Sequence, residues 1–294
     1  MSTPAPATLH HRLTEAVGFI RDYTDFQPRT GLIIGTGLGD LVDDLDLHMR
    51  WDYSLLPHFP VSTVEGHAGS LLLGHLAGEA VVVLNGRFHY YEGYSARELT
   101  FPTRVLCHLG IERLLISNVA GSTNPGYRAG EVIVVKDHIN FQPDNPLRGP
   151  NDERLGLRFP DLLHAYDKGL RAQAARLLSS LKLPAHQGVY FGLQGPNLET
   201  PAEYRMIQRL GGDLVGMSTV PEVLVANHMN VPVLVTSLVS NECHEPDRLS
   251  PTTLEDVLAV AKTGGERMRQ LWLLLLQEFA AEQHPRDADA TSTR

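Results

Sequence analysis

One segment of the chain concentrates groups that suit the binding of an anion. Residues 86–94 read GRFHYYEGY, and Arg87 and His89 stand two residues apart within them. A guanidinium fork and a ring N–H at this spacing can reach the same anion. The segment follows an apolar run, which predicts that it leaves the end of a buried strand. An aromatic-rich surface loop is the structural alternative.

Two further segments offer hydroxyl groups beside free backbone amides. Residues 35–39 (GTGLG) follow another apolar run, so their amides can point at an anion beside the Thr36 hydroxyl. Residues 216–222 (GMSTVPE) place Ser218 at the predicted start of a helix, where amides are also free. The structural interpretation of residues 35–39 is a plain turn, and that of residues 216–222 is a helix cap. Capping is compatible with anion binding.

A second group of polar residues suits a flat heterocycle rather than an anion. Glu199 stands just ahead of a predicted helix, where a carboxylate is stabilised and stays ionised. Asn241 closes an apolar run, and its amide can both donate and accept hydrogen bonds. Small residues in the segment 117–122 (SNVAGS) permit close approach of a ligand to the backbone. Each feature also has a purely structural interpretation. Glu199 could complement the charge of the first helical turn, Asn241 could form a turn, and residues 117–122 could be a tight turn.

Composition excludes several classes of protein. The formal net charge of −9 leaves no basic surface for nucleic acid. The longest strongly apolar run, 271–276, is too short to span a membrane. The N-terminus shows no signal peptide, and Cys107 and Cys243 form no C-x-x-C pair, so we expect a reducing cytoplasm. The 14 His residues lack the spacings of zinc sites, which predicts no metal.

The elements that position these residues can be predicted from apolar patterning. Runs apolar on both faces indicate strands buried in a central sheet; they are residues 31–34, 80–84, 113–117, 131–135, 188–193, 213–216 and 231–239. Helical patterns lie between several of them; they are residues 154–181, 202–210, 219–229 (opened by a capping box at Thr219 and Glu222) and 254–279. We therefore predict one α/β domain over residues 1–284 with a mixed sheet, followed by a disordered tail, 285–294. In such sheets ligands bind beyond the carboxyl ends of strands, where the polar segments lie.

Taken in order, the motifs resemble those of one enzyme family. The chain is similar to the trimeric purine nucleoside phosphorylases, which share a superfamily with the methylthioadenosine phosphorylases, over residues 31–260. The motifs that carry the resemblance are GTGLG (35–39), EGHAG (65–69), GRFHYYEGY (86–94), SNVAG (117–121), GPNLET (195–200) and VGMSTVPE (215–222). The resemblance implies a distorted mixed β-barrel flanked by helices, a homotrimer, and phosphorolysis of purine nucleosides without metal or organic cofactor.

The resemblance also implies a role for individual residues. The phosphate site comprises Thr36, His67, Arg87, His89, the Val119 amide and Ser218. The nucleoside site comprises Tyr91, Asn118, Ala120, Leu198, Glu199, Met217, Asn241 and Leu254, with Phe159 reaching the sugar of a neighbouring subunit. His89, Glu199 and Asn241 are the residues expected to carry catalysis.

These roles predict a preference among purines. An ionised Glu199 would accept the N1–H of a 6-oxopurine, whereas it would repel the N1 lone pair of adenine, so we expect inosine and guanosine as substrates. Leu198 stands where the family often has an aromatic residue. Leu254 stands where nucleoside phosphorylases often have a His near the 5′-hydroxyl. An apolar group there suits a 5′-methylthio substituent, which keeps methylthioadenosine as an alternative substrate.

Two functions from other classes of protein are alternatives to a phosphorylase. A dinucleotide-dependent oxidoreductase would explain the glycines at 35–39, with Asp52 as the ribose-binding acid, but the acidic stretch before Asp52 is not a clear strand. A nucleoside-binding protein without activity would need the base pocket but no convergent anion site. Neither alternative uses Arg87 and His89.

Overall fold

The strands of the computed structural model, which describes residues 8–61 and 69–282, form one mixed sheet. Nine strands lie within those residues: β1 (Thr30–Ile34), β2 (Asp46–Asp52), β3 (Ser70–Leu76), β4 (Glu79–Asn85), β5 (Arg113–Ser122), β6 (Val132–Asn140), β7 (Gln187–Gly192), β8 (Leu214–Gly216) and β9 (Val233–Glu242). Their order is β2-β3-β4-β1-β5-β8-β7-β6-β9, and β5 also pairs with β9.

The additional pairing of β5 with β9 closes part of the sheet into a ring. Strands β5, β8, β7, β6 and β9 form this barrel, while β2, β3, β4 and β1 extend from it as an open sheet. The long strand β5 belongs to both parts, because it pairs in parallel with β1 near its start and with β8 near its end. The predicted α/β class with a mixed, distorted β-barrel-like sheet is confirmed.

Helices cover this sheet on both sides. They are α1 (Leu9–Tyr23), α2 (Ala96–Leu99), α3 (Phe101–His108), α4 (Lys168–Ser180), α5 (Pro201–Leu210), α6 (Val220–His228) and α7 (Leu254–Glu282). Almost every residue of α6 is buried, which fits its predominantly apolar sequence. The long α7 packs through Leu271, Trp272 and Leu275 into one of the two large apolar clusters of the core. No helix within the described residues is long and apolar enough to cross a membrane.

Most predicted elements are confirmed, but one predicted helix is wrong. The pattern at 154–181 yields a helix only as α4, which Asp167 caps by accepting a hydrogen bond from the Leu170 amide. The preceding residues form an irregular segment because Gly156 adopts a φ of 154° and Pro160 removes a backbone donor. Helices at 202–210 and 219–229 are found as α5 and α6.

Elements at the edge of the sheet were not predicted. Strand β2 is mostly exposed and pairs only with β3 among the described strands, so it lacks the continuous apolar pattern of a buried strand. Asp52 closes this edge strand, which is antiparallel to β3 rather than part of a parallel dinucleotide-binding unit. The predicted tail 285–294 and His67 lie outside the described residues.

Two glycines bring helix α7 into direct contact with the loop after β1. A Cβ added to Gly265 would fall on the carbonyl oxygen of Gly37, so only glycine permits this approach. Gly37 itself has a φ of 88°, a left-handed conformation that favours glycine, and its backbone also lies against Ala261. The position of the loop 35–39 therefore depends on the position of α7.

The close contact predicts a large cost for one added methyl group. We expect Gly265→Ala to lower the free energy of unfolding by about 1–3 kcal/mol, because the loop or the helix must shift. Gly18→Ala, in α1, is the matched control, since a Cβ there meets nothing within 4 Å. We expect it to stabilise the protein by up to about 1 kcal/mol. Urea unfolding measures both, and equal stabilities would contradict the contact.

Candidate functional site

Four parallel strands bring several of the predicted site residues to one edge of the sheet. Strands β4, β1, β5 and β9 are neighbours and run in the same direction, so their carboxyl ends meet. A cavity of about 520 Å³ opens at this edge. Its walls include Gly35, Thr36, Arg87, His89, Tyr91, Asn118, Val119, Ala120, Gly121, Leu198, Glu199, Tyr204, Met217, Ser218, Ser240, Asn241, Thr252, Thr253 and Val257.

Arg87 is buried and held on three sides. Its Nη1 donates to the Ser218 hydroxyl at 2.8 Å, and its Nη2 donates to the Ser117 carbonyl at 2.8 Å. Its Nε lies 3.5 Å from a carboxylate oxygen of Glu222, which is also buried. The guanidinium is therefore fixed at the cavity wall before any ligand arrives, and binding need not order it.

Glu222 performs a different task from the one that its spacing predicted. The capping box at Thr219 and Glu222 is wrong, because the Thr219 side chain makes no capping hydrogen bond to α6. Glu222 instead turns inward from the first turn of α6 to form the ion pair with Arg87. Its carboxylate compensates a positive charge that would otherwise be buried alone.

Thr219 adopts a backbone conformation that is unusual for a β-branched residue. Its φ is 73°, and its hydroxyl accepts a hydrogen bond from the Asn118 amide at 3.0 Å and lies 3.0 Å from the Ser218 hydroxyl. Such strain is characteristic of functional sites. The conformation of Thr219 places the Ser218 hydroxyl within hydrogen-bond distance of Arg87. The Ser218 amide in turn donates to the Tyr190 hydroxyl at 3.3 Å.

The glycine loop, residues 35–39, is hydrogen-bonded to the neighbouring strand β5. The Gly35 amide donates to the Ser117 hydroxyl at 2.9 Å, and a Cβ at residue 35 would lie 2.7 Å from the Ser117 carbonyl oxygen. Glycine is therefore required for Thr36 to approach the strand that carries Asn118. Within the described residues, the buried side-chain oxygen of Asn118 makes no hydrogen bond, which leaves an acceptor for a ligand.

His89 is oriented by its neighbours in the loop after β4. The Glu92 carboxylate accepts the His89 backbone amide at 2.7 Å and lies 3.1 Å from the ring Nδ1. The imidazole stacks on the Tyr91 ring with centroids 4.7 Å apart and an interplanar angle of 12°. A carboxylate on Nδ1 favours a proton there and fixes the plane of the ring.

Glu199 and Asn241 form a second polar group in the same cavity. Burial raises the pKa of the Glu199 carboxyl, and a hydrogen bond from Tyr204 opposes that rise. Asn241 follows an irregularity in the pairing of β5 with β9, where Ala120 faces Val239 but Gly121 faces Asn241. Ser240 is the extra residue of this bulge, which aims Asn241 into the cavity.

The structure thus assembles all but three of the predicted site residues around one cavity. Phe159 is not among the described residues that line it, and the residue is 85% exposed. Leu254 begins α7, next to Thr253 and close to Val257, which both line the cavity. His67 lies outside the described residues. Among the described residues, no group of three or more His, Cys, Asp or Glu side chains could hold a metal ion.

Four residues around the site could not be assigned from the sequence, because their contacts join distant segments or leave no pattern. Glu222 lies 135 residues from Arg87, and its capping-box spacing gave a sufficient local explanation. Ser117 ends an apolar run and carries no pattern that would predict its bonds to Gly35 and Arg87. Tyr204, inside α5, reads as an ordinary buried helix residue. Glu92 was part of the motif 86–94, and only its spacing to His89 could have indicated a bond.

Comparisons with known proteins identify relatives of this chain. The model of the phosphorylase superfamily matches residues 29–277. Purine nucleoside phosphorylase 1 of Bacillus subtilis is 49% identical over 78% of this chain and 85% of its own length. The chain belongs to the purine nucleoside phosphorylase family. The enzyme of Bos taurus is 42% identical over 90% of this chain and 94% of its own.

Solved structures of the family share the fold. Isoform 2 of the Schistosoma mansoni purine nucleoside phosphorylase, in complex with cytosine and ribose-1-phosphate, superposes with a TM-score of 0.87 at 37% identity, covering 93% of this chain and 98% of that one. A second schistosomal structure, in complex with hypoxanthine, has a TM-score of 0.84 at 38% identity over 90% of this chain and 96% of that one.

The ion pair of Arg87 with Glu222 predicts a phosphate-dependent stability. We expect Glu222→Gln to destabilise the phosphate-free protein by about 3–5 kcal/mol, because a buried guanidinium loses its only carboxylate partner among the described residues. Inorganic phosphate should then raise the Tm of this variant more than that of the parent, since the anion replaces the lost charge. Thermal unfolding with and without phosphate measures both effects.

The control for this variant is Glu112→Gln. Glu112 pairs with Arg29 at 2.8 Å on the surface, where an ion pair contributes less than about 1 kcal/mol. Its Tm should respond to phosphate as the parent does. A Glu222→Gln protein as stable as the parent without phosphate would contradict the role of Glu222.

Proposed function

We propose that this protein catalyses the reversible phosphorolysis of 6-oxopurine ribo- and deoxyribonucleosides, such as inosine and guanosine, giving the free base and a pentose 1-phosphate. One observation carries the proposal. A single cavity holds both a fixed cationic and hydroxyl group, around Arg87 and Ser218, and a carboxylate–amide pair, Glu199 and Asn241. The first group suits phosphate and the second suits a purine, so both substrates fit one site.

The named relatives support this assignment. The bacterial, mammalian and yeast proteins with 40–50% identity are called purine nucleoside phosphorylases. The schistosomal enzymes have been crystallised with hypoxanthine and with ribose-1-phosphate, which are a base and a sugar phosphate of this reaction. None of these relatives is named a methylthioadenosine phosphorylase, and that alternative is not favoured.

Phosphate would bind to donors that converge on the cavity from three loops and from strand β5. Arg87 and Ser218 supply charge and a hydroxyl, Thr36 supplies a second hydroxyl, and His89 and the Val119 amide complete the described part of the site. His67 is proposed on the motif alone. Phosphate is already an anion, so the site needs to position and partly neutralise it rather than deprotonate it.

The carbon–nitrogen bond would break with the help of groups that hold the leaving base. Cleavage at the sugar C1′ leaves an oxocarbenium-like sugar, and negative charge grows on the departing purine. Asn241 would donate to N7, a hydrogen bond that strengthens as this charge develops. Glu199 would accept N1–H of a 6-oxopurine and would repel the N1 lone pair of adenine. We propose that no metal or organic cofactor takes part.

The sugar would lie between these two groups. Tyr91 and Met217 line the cavity beside Asn118 and Ala120, and Leu198, a residue that is 49% exposed, lines it as well. Leu254 is proposed near the 5′ position because α7 begins there, between the cavity residues Thr253 and Val257.

We further propose a homotrimer in which Phe159 completes the sugar site of a neighbouring subunit. Its segment exposes Leu157, Phe159 and Leu163 by 75% or more, a concentration of apolar surface that suits a contact between copies. Light scattering gives the mass that distinguishes three chains from one. A cytoplasmic location is proposed because Cys107 and Cys243 are both free and buried.

The proposal is tested by base release from inosine, adenosine and methylthioadenosine, each with and without phosphate. We expect phosphate-dependent release of hypoxanthine, with adenosine at least about a hundredfold slower. Release without phosphate would indicate a hydrolase and contradict the anion site. Faster cleavage of methylthioadenosine than of inosine would instead support a methylthioadenosine phosphorylase.

The role of Asn241 predicts a change in base preference. Asn241→Asp removes the donor to N7 of a 6-oxopurine but adds an acceptor for the 6-amino group of adenine. We expect the ratio of kcat/KM for inosine over adenosine to fall about a hundredfold. Asn230→Asp, at an exposed residue after α6, is the control and should keep the parental ratio. An unchanged ratio in Asn241→Asp would exclude the proposed contact.

A further inference from the structure

Thr219 is buried in a backbone conformation that a β-branched residue rarely adopts. Its φ is 73°, where glycine would avoid the steric cost that a side chain brings. The side chain does not offset this cost as a helix cap, because it makes no capping hydrogen bond to α6. The contacts of its hydroxyl indicate another role.

The Thr219 hydroxyl joins residues of the cavity wall to one another. The Asn118 side-chain nitrogen donates to it at 3.0 Å, and the Ser218 hydroxyl lies 3.0 Å away. Ser218 in turn accepts a hydrogen bond from Arg87 Nη1 at 2.8 Å. These four side chains form a continuous row, in the order Asn118, Thr219, Ser218 and Arg87, which we call the hydroxyl row. Thr219 is not among the described residues that line the cavity, whereas the other three are.

Both ends of the hydroxyl row can only donate. The Asn118 side-chain nitrogen and the Arg87 guanidinium carry hydrogens and accept no hydrogen bond. Each of the two hydroxyls between them therefore accepts from one end of the row, and one hydroxyl donates to the other. Among the described residues, the Thr219 hydroxyl has no acceptor other than Ser218, so its hydrogen points to the Ser218 oxygen.

This direction leaves one hydrogen of the row for a ligand. The Ser218 oxygen accepts from both Thr219 and Arg87, so its own hydrogen is free to point into the cavity. The opposite direction would bury the Thr219 hydrogen without an acceptor, which is unfavourable. It would also turn an oxygen lone pair of Ser218 toward any anion drawn by Arg87. Both arguments select the same direction.

We propose that Thr219 is a positioning residue that turns the Ser218 hydroxyl hydrogen toward bound phosphate. This inference rests on the phosphate site of the proposed function and adds a residue that acts only through Ser218. The two hydrogen bonds that Ser218 accepts also polarise its hydroxyl, which makes it a stronger donor to an anion. The strained Thr219 backbone thus places a hydroxyl where glycine could supply none.

Thr219→Val removes the hydroxyl and keeps the branching at Cβ. The Ser218 hydroxyl then loses a donor and is free to rotate, so we expect KM for phosphate to rise about tenfold, with KM for inosine within about threefold of the parent. Thr219→Ser keeps the hydroxyl and should keep KM for phosphate within about threefold of the parent. Initial rates of hypoxanthine release at varied phosphate and varied inosine measure these constants.

A double variant separates positioning from a general loss of structure. If Thr219 acts through Ser218, its hydroxyl has no effect on the anion once the Ser218 hydroxyl is gone. We therefore expect Ser218→Ala/Thr219→Val to have a KM for phosphate within about threefold of that of Ser218→Ala alone. Independent structural effects would multiply the two losses.

Sulfate tests the direction of the Ser218 hydrogen without any turnover. Sulfate carries no proton at neutral pH, so it can accept hydrogen bonds but donate none. Its Kd, measured by calorimetric titration, should rise about tenfold both in Ser218→Ala and in Thr219→Val. If the Ser218 oxygen instead acted as an acceptor toward the ligand, Ser218→Ala would bind sulfate as tightly as the parent or more tightly.

The matched control is Thr100→Val, which deletes another buried hydroxyl. The Thr100 hydroxyl donates to the Ala96 carbonyl at 2.7 Å, and Thr100 is not among the described residues that line the cavity. This variant should keep the parental KM for phosphate and the parental Kd for sulfate.

Three results would overturn the inference. They are a Thr219→Val protein that matches Thr100→Val in both constants, losses that multiply in the double variant, and a Ser218→Ala protein that binds sulfate as tightly as the parent. A parent that binds sulfate but releases no hypoxanthine would overturn the proposed function, and the sulfate titrations would still decide the role of Thr219.

Discussion

A buried guanidinium needs a carboxylate to balance its charge and acceptors for its N–H groups, and the site depends on how the fold supplies both to Arg87. The residue leaves strand β4, its carboxylate partner Glu222 comes from helix α6, and its remaining donors reach β5 and the loop before α6. Each partner belongs to a different element, so Arg87 reaches the cavity wall only in the complete fold. The strained backbone of Thr219 follows from the same demand, because Ser218 must face the guanidinium from the end of a short strand.

The closed part of the sheet makes the second polar group possible. Strand β5 pairs with β9 along most of its length, so the small residues after Asn118 lie beside the end of β9. The bulge at Ser240 then turns Asn241 toward the cavity, where Gly121 leaves room for it. The residues proposed for phosphate and for the base thus line one cavity at the ends of neighbouring strands, and the barrel fixes how β5 and β9 are placed relative to each other.

Much of this arrangement could be predicted from the sequence because the strands are buried and continuous in apolar residues. Polar residues after such strands, among them Thr36, Arg87 and Asn241, were identified from position alone, and the cavity gathers them. Contacts between distant segments could not be predicted. The capping-box spacing at Glu222 suggested a local bond where a distant ion pair exists. The pattern before α4 suggested a helix that Gly156 and Pro160 prevent.

The contact of Gly265 with Gly37 gives the long C-terminal helix a mechanical role. The first residues of α7 stand beside the cavity residues Thr253 and Val257, and two turns later its backbone lies on the glycine loop that carries Thr36. No side chain intervenes to absorb a displacement at this point. A displacement of the helix at this point would therefore have to be shared by the loop that carries Thr36, so the two walls of the cavity that α7 contacts cannot be moved independently.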